Sequence, residues 1–153
     1  MKELFEVLKK NNLTLGSVES LTGGLFASTV TSFSGASAVY KGSLITYSPL
    51  VKESVCNVDK SIIEKYGVVS HECAYAMAKN GAQILDTDVC VSFTGNAGPT
   101  ALDGLPVGRI YVGVSYKNEV STYEFNILNK DRNEVRSCIV EEAIKLLLKI
   151  IKE

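Results

Sequence analysis

The chain has 153 residues, enough for one domain with a substantial core, and its 16 lysine and arginine residues nearly balance its 17 acidic residues. This balance leaves no basic surface to attract nucleic acid or an anionic membrane, so we expect neither as a partner. No stretch approaches the roughly 18 apolar residues of a membrane span or the apolar core of a signal peptide, which predicts a cytoplasmic protein with a single domain over residues 1–153.

The first predicted elements are a short amphipathic helix and a strand over 13–19. The strand runs into V-E-S-L-T-G-G at 18–24, and helical spacing extends over 22–33. Such a strand-to-helix corner leaves backbone N–H groups unpaired and can present a serine hydroxyl, here that of Ser20, to a substrate.

A second strand, predicted over 39–47, places Tyr47 at a strand end. Three helices are predicted in succession, over 49–56, 61–66 and 71–85. The apolar and small residues of 87–94 are typical of a central strand that is buried on both faces. That strand ends in a second corner of hydroxyl and glycine residues, T-G-N-A-G-P at 94–99.

Two strands over 107–115 and 120–128 are joined by a turn at 117–119 and are expected to be antiparallel. A long helix over 131–152 follows. Its predicted buried stripe consists of Val135, Ile139, Ala143, Leu146 and Ile150. Strands that alternate with helices, with one hairpin, predict a three-layer α/β/α domain with a mixed, mostly parallel sheet. The four cysteines form no C-x-x-C pair and are interpreted as buried, reduced residues.

Two of the predicted strands end in serine, threonine and glycine, and ligands bind at the carboxyl ends of strands in open α/β sheets. Neither corner matches the P-loop or the dinucleotide-binding pattern. Ser20 is either a helix N-cap or a nucleophile. The only histidine, His71, has no recognisable acidic partner, so the base would be a lysine or a tyrosine with a lowered pKa. Tyr47 fits by position, although a half-buried strand aromatic is the simpler interpretation.

Three basic residues are further candidates. Arg132 begins the last helix and is either a phosphate or carboxylate clamp or a solvated partner of Asp131. Arg136 lies one turn further along, and the sequence leaves open which of the two arginines faces a site. Lys52 stands on the helix that follows Tyr47 and is interpreted as a surface lysine.

Several blocks of this chain occur in the order found in a known family. They are V-E-S-L-T-G-G at 18–24, S-G-A-S-A-V-Y-K-G at 34–42, I-T-Y-S-x-x-x-K at 45–52, Y-G-V-V-S at 66–70, F-T-G-x-A-G-P at 93–99, P-V-G at 106–108 and D-R-x-x-V-R at 131–136. Together they resemble the CinA C-terminal domain family, the competence/damage-inducible proteins whose active members are nicotinamide mononucleotide amidohydrolases. The resemblance extends over nearly the whole chain.

The resemblance implies hydrolysis of the carboxamide of nicotinamide mononucleotide to the acid, with release of ammonia and without a metal or other cofactor. By motif it implies catalytic roles for Ser20, Tyr47 and Arg132, and we interpret Tyr47 as the base that removes the Ser20 proton. It also implies a pocket whose backbone N–H groups hold phosphate or the oxyanion, lined by Thr22, Gly23, Gly24, Thr94, Gly95 and Gly98. We also predict that Lys52 is one of the substrate-binding residues.

The chain departs from the family pattern at several positions. Leu21 stands where the family has a cysteine, Asn96 interrupts T-G-I-A-G-P, and Pro49 replaces the asparagine of Y-S-N. Gly104 and Leu105 replace a Glu-Lys pair before P-V-G. Two alternatives therefore stay open: a catalytically silent pyridine-nucleotide binding or regulatory module, and an amidase for another small amide. We also expect a homodimer or larger homo-oligomer, without the amino-terminal domain that many members carry.

Overall fold

The computed structural model describes residues 1–153 as a five-stranded sheet with six α-helices. The strands are β1 Leu15–Glu19, β2 Tyr40–Ile45, β3 Val89–Gly95, β4 Arg109–Tyr116 and β5 Glu119–Asn126. The helices are α1 Lys2–Lys10, α2 Leu25–Thr31, α3 Pro49–Cys56, α4 Lys60–Tyr66, α5 His71–Leu85 and α6 Arg132–Lys152. A short 3-10 helix, Ala36–Ala38, lies between α2 and β2. Every predicted helix and strand is present, with end points that differ by a few residues.

The sheet has the strand order β2-β1-β3-β4-β5. β1 is parallel to β2 and to β3, whereas β4 is antiparallel to β3 and to β5. Four strands therefore run in one direction and β4 alone runs against them, which confirms the predicted mixed, mostly parallel sheet. The carboxyl ends of β1, β2 and β3 meet at one edge, where they are followed by Ser20, Thr46 and Asn96.

Helices cover both faces of the sheet, which confirms the three-layer architecture. α1, α2 and α6 pack around a cluster of 23 buried apolar residues that includes Phe93 of β3. α3, α4 and α5 pack around a smaller cluster that includes Cys56, Cys73 and Cys90. These three thiols are buried as predicted, whereas Cys138 is half-buried, and all four are free.

The buried face of α6 differs from the predicted stripe in its second half. Its buried residues are Val135, Ile139, Val140, Ala143, Leu147 and Ile151. Leu146 and Ile150 pack against the large apolar cluster but are half-buried rather than buried, because the buried face turns around the helix axis where α6 packs against α1 as well as against the sheet. None of the helices combines the length and the apolar character that crossing a bilayer requires.

Candidate active site

Ser20 lies in a tight turn that joins β1 to α2. Its N–H donates to the Phe93 carbonyl at 3.0 Å, and its own carbonyl accepts the Gly23 N–H at 3.0 Å. Gly23 and Gly24 have φ values of 54° and 97°, in the left-handed region that favours glycine. α2 therefore begins at Leu25 rather than at the predicted position 22, because the turn occupies the residues in between.

Glu19, the last residue of β1, holds the turn from inside. Its fully buried carboxylate accepts the N–H groups of Gly24 at 3.0 Å, Phe26 at 3.1 Å and Ala27 at 2.9 Å, and the Ser43 hydroxyl at 3.1 Å. We predicted that the N–H of Gly24 would hold a substrate anion, but that N–H is already paired with Glu19. An internal carboxylate therefore occupies the place at the start of α2 that the sequence suggested for a ligand.

Lys52 reaches Ser20 from α3. The helix begins at Pro49, and the N-cap Ser48 accepts the Val51 N–H through its hydroxyl at 3.3 Å. Lys52 comes one turn into this helix, and its Nζ donates to Ser20 Oγ at 2.9 Å and to the Thr46 carbonyl at 2.7 Å. The interpretation of Lys52 as a surface lysine is wrong, because only 1% of the residue is exposed.

The burial of Lys52 shifts its amine toward the neutral form. Burial lowers the pKa of Lys52 below its usual value of 10.5, and the nearby Cys73 and Cys56 thiols oppose this shift only in part. No aspartate or glutamate forms an ion pair with Lys52. A lowered pKa means that, at any given pH, a larger fraction of Lys52 is the neutral amine that accepts a proton than in an exposed lysine.

Tyr47 and Arg132 form a second pair at the outer side of the site. Arg132 Nη2 donates to the Tyr47 hydroxyl at 2.8 Å, and its Nη1 donates to the Gly98 carbonyl at 2.5 Å. Tyr47 is 59% exposed and makes no hydrogen bond with Ser20. The structure therefore brings Tyr47 and Arg132 together, as expected for members of one site, but it is Lys52 that contacts the Ser20 hydroxyl.

Arg136, which the sequence left open as an alternative to Arg132, has a different position. Its Nε donates to the Leu21 carbonyl at 3.0 Å and its Nη2 donates to the Thr22 carbonyl at 2.9 Å. Arg132 lines the cavity beside Ser20, whereas Arg136 fastens the turn to α6. The question of which arginine faces the site is thereby answered in favour of Arg132.

Ser20 opens on a cavity of about 170 Å3 at the carboxyl edge of the sheet. It is lined by Ser20, Leu21, Tyr47, Gly95, Asn96, Ala97, Thr100, Leu102 and Arg132. A larger hollow of about 630 Å3 lies near Lys79 and Asp88, but it contains no hydroxyl that is hydrogen-bonded to a lysine. We place the site at the smaller cavity because it is the one lined by a hydroxyl, that of Ser20, that is hydrogen-bonded to a lysine.

The remaining predicted residues lie around this cavity in different ways. Gly95 lines it, whereas Thr22, Gly23, Gly24, Thr94 and Gly98 are not among its lining residues. The Thr94 hydroxyl donates to the Val68 carbonyl, so its role in the structure is to join β3 to the segment before α5. His71 is exposed, with Nδ1 2.8 Å from the Thr122 hydroxyl, and no group of His, Cys, Asp and Glu residues is arranged to hold a metal ion.

The chain matches the CinA C-terminal domain over residues 1–151. It is 41% identical over 142 residues to a provisionally named competence-damage inducible protein of Listeria welshimeri, and this covers 92% of the chain and 34% of that protein. A relative of the same name from Streptococcus agalactiae is 39% identical over 146 residues, with 95% and 35% covered. The chain thus spans about a third of the length of the curated relatives it matches.

Solved structures with the same fold are also known. A CinA superfamily protein of Klebsiella pneumoniae has a TM-score of 0.95 at 22% identity, with 98% of this chain and 94% of that chain covered. A CinA superfamily protein of Escherichia coli has a TM-score of 0.93 at 28% identity, with 96% and 86% covered. These similarities agree with the α/β/α architecture described above.

Replacement of Glu19 by glutamine should destabilise the fold, because an amide cannot accept all the N–H groups that the carboxylate accepts. We expect the free energy of unfolding to fall by about 2 kcal/mol in urea titrations. Glu6→Gln, on the exposed side of α1, is the matched control and should have almost no effect. A change in Glu19→Gln as small as that in the control would contradict the role assigned to Glu19.

Proposed function

The chain belongs to the CinA C-terminal domain family, and we propose that it is a serine amidohydrolase that converts nicotinamide mononucleotide to nicotinate mononucleotide and ammonia. The observation that carries the proposal is the buried hydrogen bond between Lys52 Nζ and Ser20 Oγ at 2.9 Å. It joins a hydroxyl to an amine whose burial disfavours the charged form, which is one arrangement that activates a serine nucleophile. The choice of substrate follows from the family resemblance.

In the proposed reaction Lys52 replaces Tyr47 as the base. The neutral Lys52 amine accepts the Ser20 proton while Ser20 Oγ attacks the carboxamide carbon. The resulting ammonium group, held by the Thr46 carbonyl, donates its proton to the amide nitrogen, and the C–N bond breaks to release ammonia. Water then attacks the acyl-Ser20 ester while Lys52 accepts its proton, and Lys52 returns that proton to Ser20 Oγ as the bond between Oγ and the acyl carbon breaks and the carboxylic acid leaves.

The oxyanion of the tetrahedral intermediate needs hydrogen-bond donors that are not already engaged. The N–H groups of Gly23 and Gly24 are paired, and those of Phe26 and Ala27 donate to Glu19. Leu21 directly follows the nucleophile, and its N–H has no acceptor within the protein. We assign the Leu21 N–H as an oxyanion donor, in the position that nucleophile turns of other hydrolases use.

Tyr47 and Arg132 are assigned to substrate binding at the rim. The cavity of about 170 Å3 is smaller than the roughly 300–1,000 Å3 of typical ligand pockets, so it suits the carboxamide end of a substrate rather than a whole nucleotide. Arg132 is the only charged residue that lines it. The phosphate of a nucleotide would therefore lie outside the cavity, on the side of Arg132. The small volume also favours, as a second candidate, an amidase for another small amide.

Ser20→Ala should abolish release of ammonia from nicotinamide mononucleotide, with a loss of at least about 1,000-fold in kcat, because no other hydroxyl is paired with Lys52. Ammonia is measured with purified protein, beside a Ser121→Ala control on the distant strand β5. Binding of the nucleotide by wild type without turnover would favour the silent binding module. Turnover of other amides alone would favour the second candidate.

The pH dependence of kcat should reflect the lowered pKa of Lys52. Only the neutral amine accepts the Ser20 proton, so activity should rise as pH increases through this pKa, at a pH below 10.5. Lys52→Arg keeps a charge at all accessible pH values and should be inactive throughout. Lys60→Met, an exposed lysine paired with Glu64, should leave the profile unchanged. A Lys52→Arg enzyme with the wild-type profile would exclude Lys52 as the base.

A further inference from the structure

The segment after β3 contains a buried asparagine that is fully hydrogen-bonded to one loop. Asn96 is only 3% exposed. Its Nδ2 donates to the carbonyls of Leu102 at 3.1 Å and Leu105 at 3.3 Å, and its Oδ1 accepts the Leu102 N–H at 2.9 Å. Both polar groups of the Leu102 backbone are thus bound to the same amide. Residues 100–105 are therefore held as a fixed wall beside the cavity.

A second attachment holds the middle of this wall. The Asp103 carboxylate accepts the Val69 N–H at 2.9 Å, just before α5. The approach is so close that a Cβ at Gly67 would lie 2.6 Å from Asp103 Oδ2, and Gly67 has a φ of 79°. The wall is therefore tied to the end of β3 through Asn96 and to the segment before α5 through Asp103.

The wall places one apolar side chain at the cavity. Thr100 and Leu102 both line it, and Leu102 remains 58% exposed although its backbone is pinned. Leu21 and Ala97 supply further apolar lining, and both are buried. Leu102 is thus the aliphatic side chain of this cavity that still has a large exposed surface to cover.

We propose that Leu102 is a specificity-determining residue that packs against a ring bonded to the scissile carboxamide, and that Asn96 is the positioning residue that holds Leu102 in place. The proposal rests on the proposed function, since it concerns the substrate of the same site. Such a contact favours amides carried on a flat aromatic ring over small aliphatic amides. Arg132 and Tyr47 contact the part of the substrate beyond that ring.

Sulfonyl fluorides test this contact independently of the natural substrate. Ser20 Oγ bonds to the sulfur while the S–F bond breaks, fluoride leaves, and the Ser20 proton passes through Lys52 to water. We expect wild type to react faster with phenylmethanesulfonyl fluoride than with methanesulfonyl fluoride. Leu102→Ala should lower this ratio about fivefold, because the aromatic group loses its apolar contact, while the rate with the methyl reagent stays nearly constant. Mass spectrometry of the labelled protein gives both rates.

Asn96 is tested by the same ratio. Asn96→Ala removes three hydrogen bonds to the wall and should lower the ratio as Leu102→Ala does, whereas Asn96→Asp keeps the acceptor for the Leu102 N–H and should give an intermediate value. The matched control is Leu128→Ala, a leucine that is 63% exposed and does not line the cavity.

With nicotinamide mononucleotide, Leu102→Ala should raise KM about fivefold and leave kcat nearly unchanged.

The outcomes separate this inference from the proposed function. Labelling of Ser20 with an unchanged reagent ratio in Leu102→Ala would overturn the inference and leave the nucleophile in place. Labelling with the expected ratios but no hydrolysis of nicotinamide mononucleotide would support the inference and contradict the proposed substrate. If neither reagent labels Ser20, the role of Ser20 as the nucleophile is contradicted. The inference is then tested by calorimetry, which compares the affinities of wild type and Leu102→Ala for nicotinamide mononucleotide. Equal affinities would overturn the inference, and a fivefold lower affinity of Leu102→Ala would support it.

Discussion

The burial of Lys52 beside Ser20 is the constraint on which the rest of the site depends. A lysine that is 1% exposed costs free energy if it is charged, and no carboxylate is present to offset that cost. The Thr46 carbonyl and the Ser20 hydroxyl are its hydrogen-bond partners, and burial lowers the pKa of the amine. The same burial that lowers the stability of the fold also shifts the pKa of Lys52, and such shifts are typical of functional sites.

The turn around Ser20 can then be understood as a support for this pair. Glu19 neutralises the positive end of α2 from within, and Arg136 ties the carbonyls of Leu21 and Thr22 to α6. Arg132, in contrast, lines the cavity beside Ser20, which Arg136 does not. Within one D-R-x-x-V-R motif, Arg136 thus supports the turn that carries Ser20, whereas Arg132 lines the cavity.

Hydrophobic periodicity was sufficient to predict the elements, their order and the buried central strand, since these depend on which residues avoid water. The same reasoning misassigned Lys52, because a lysine near a helix start is polar in the sequence whether it points outward or inward. Tyr47 was predicted as the base from its position at a strand end, and its partner Arg132 was also named. Only the three-dimensional arrangement showed that Lys52, five residues further along, is the group that contacts Ser20.

Two departures of this chain from the family pattern, Asn96 and the altered segment that contains Gly104 and Leu105, belong to a different part of the site from the Ser20 and Lys52 pair. Asn96 places a buried amide where the related pattern has an apolar residue, and burial of that amide is tolerable because its donors and its acceptor are all satisfied by residues 102–105. The asparagine and the altered segment therefore depend on each other. A wall built in this way can change the shape of the cavity without moving Ser20 or Lys52, so the cavity wall and the Ser20 and Lys52 pair are physically separable in this fold.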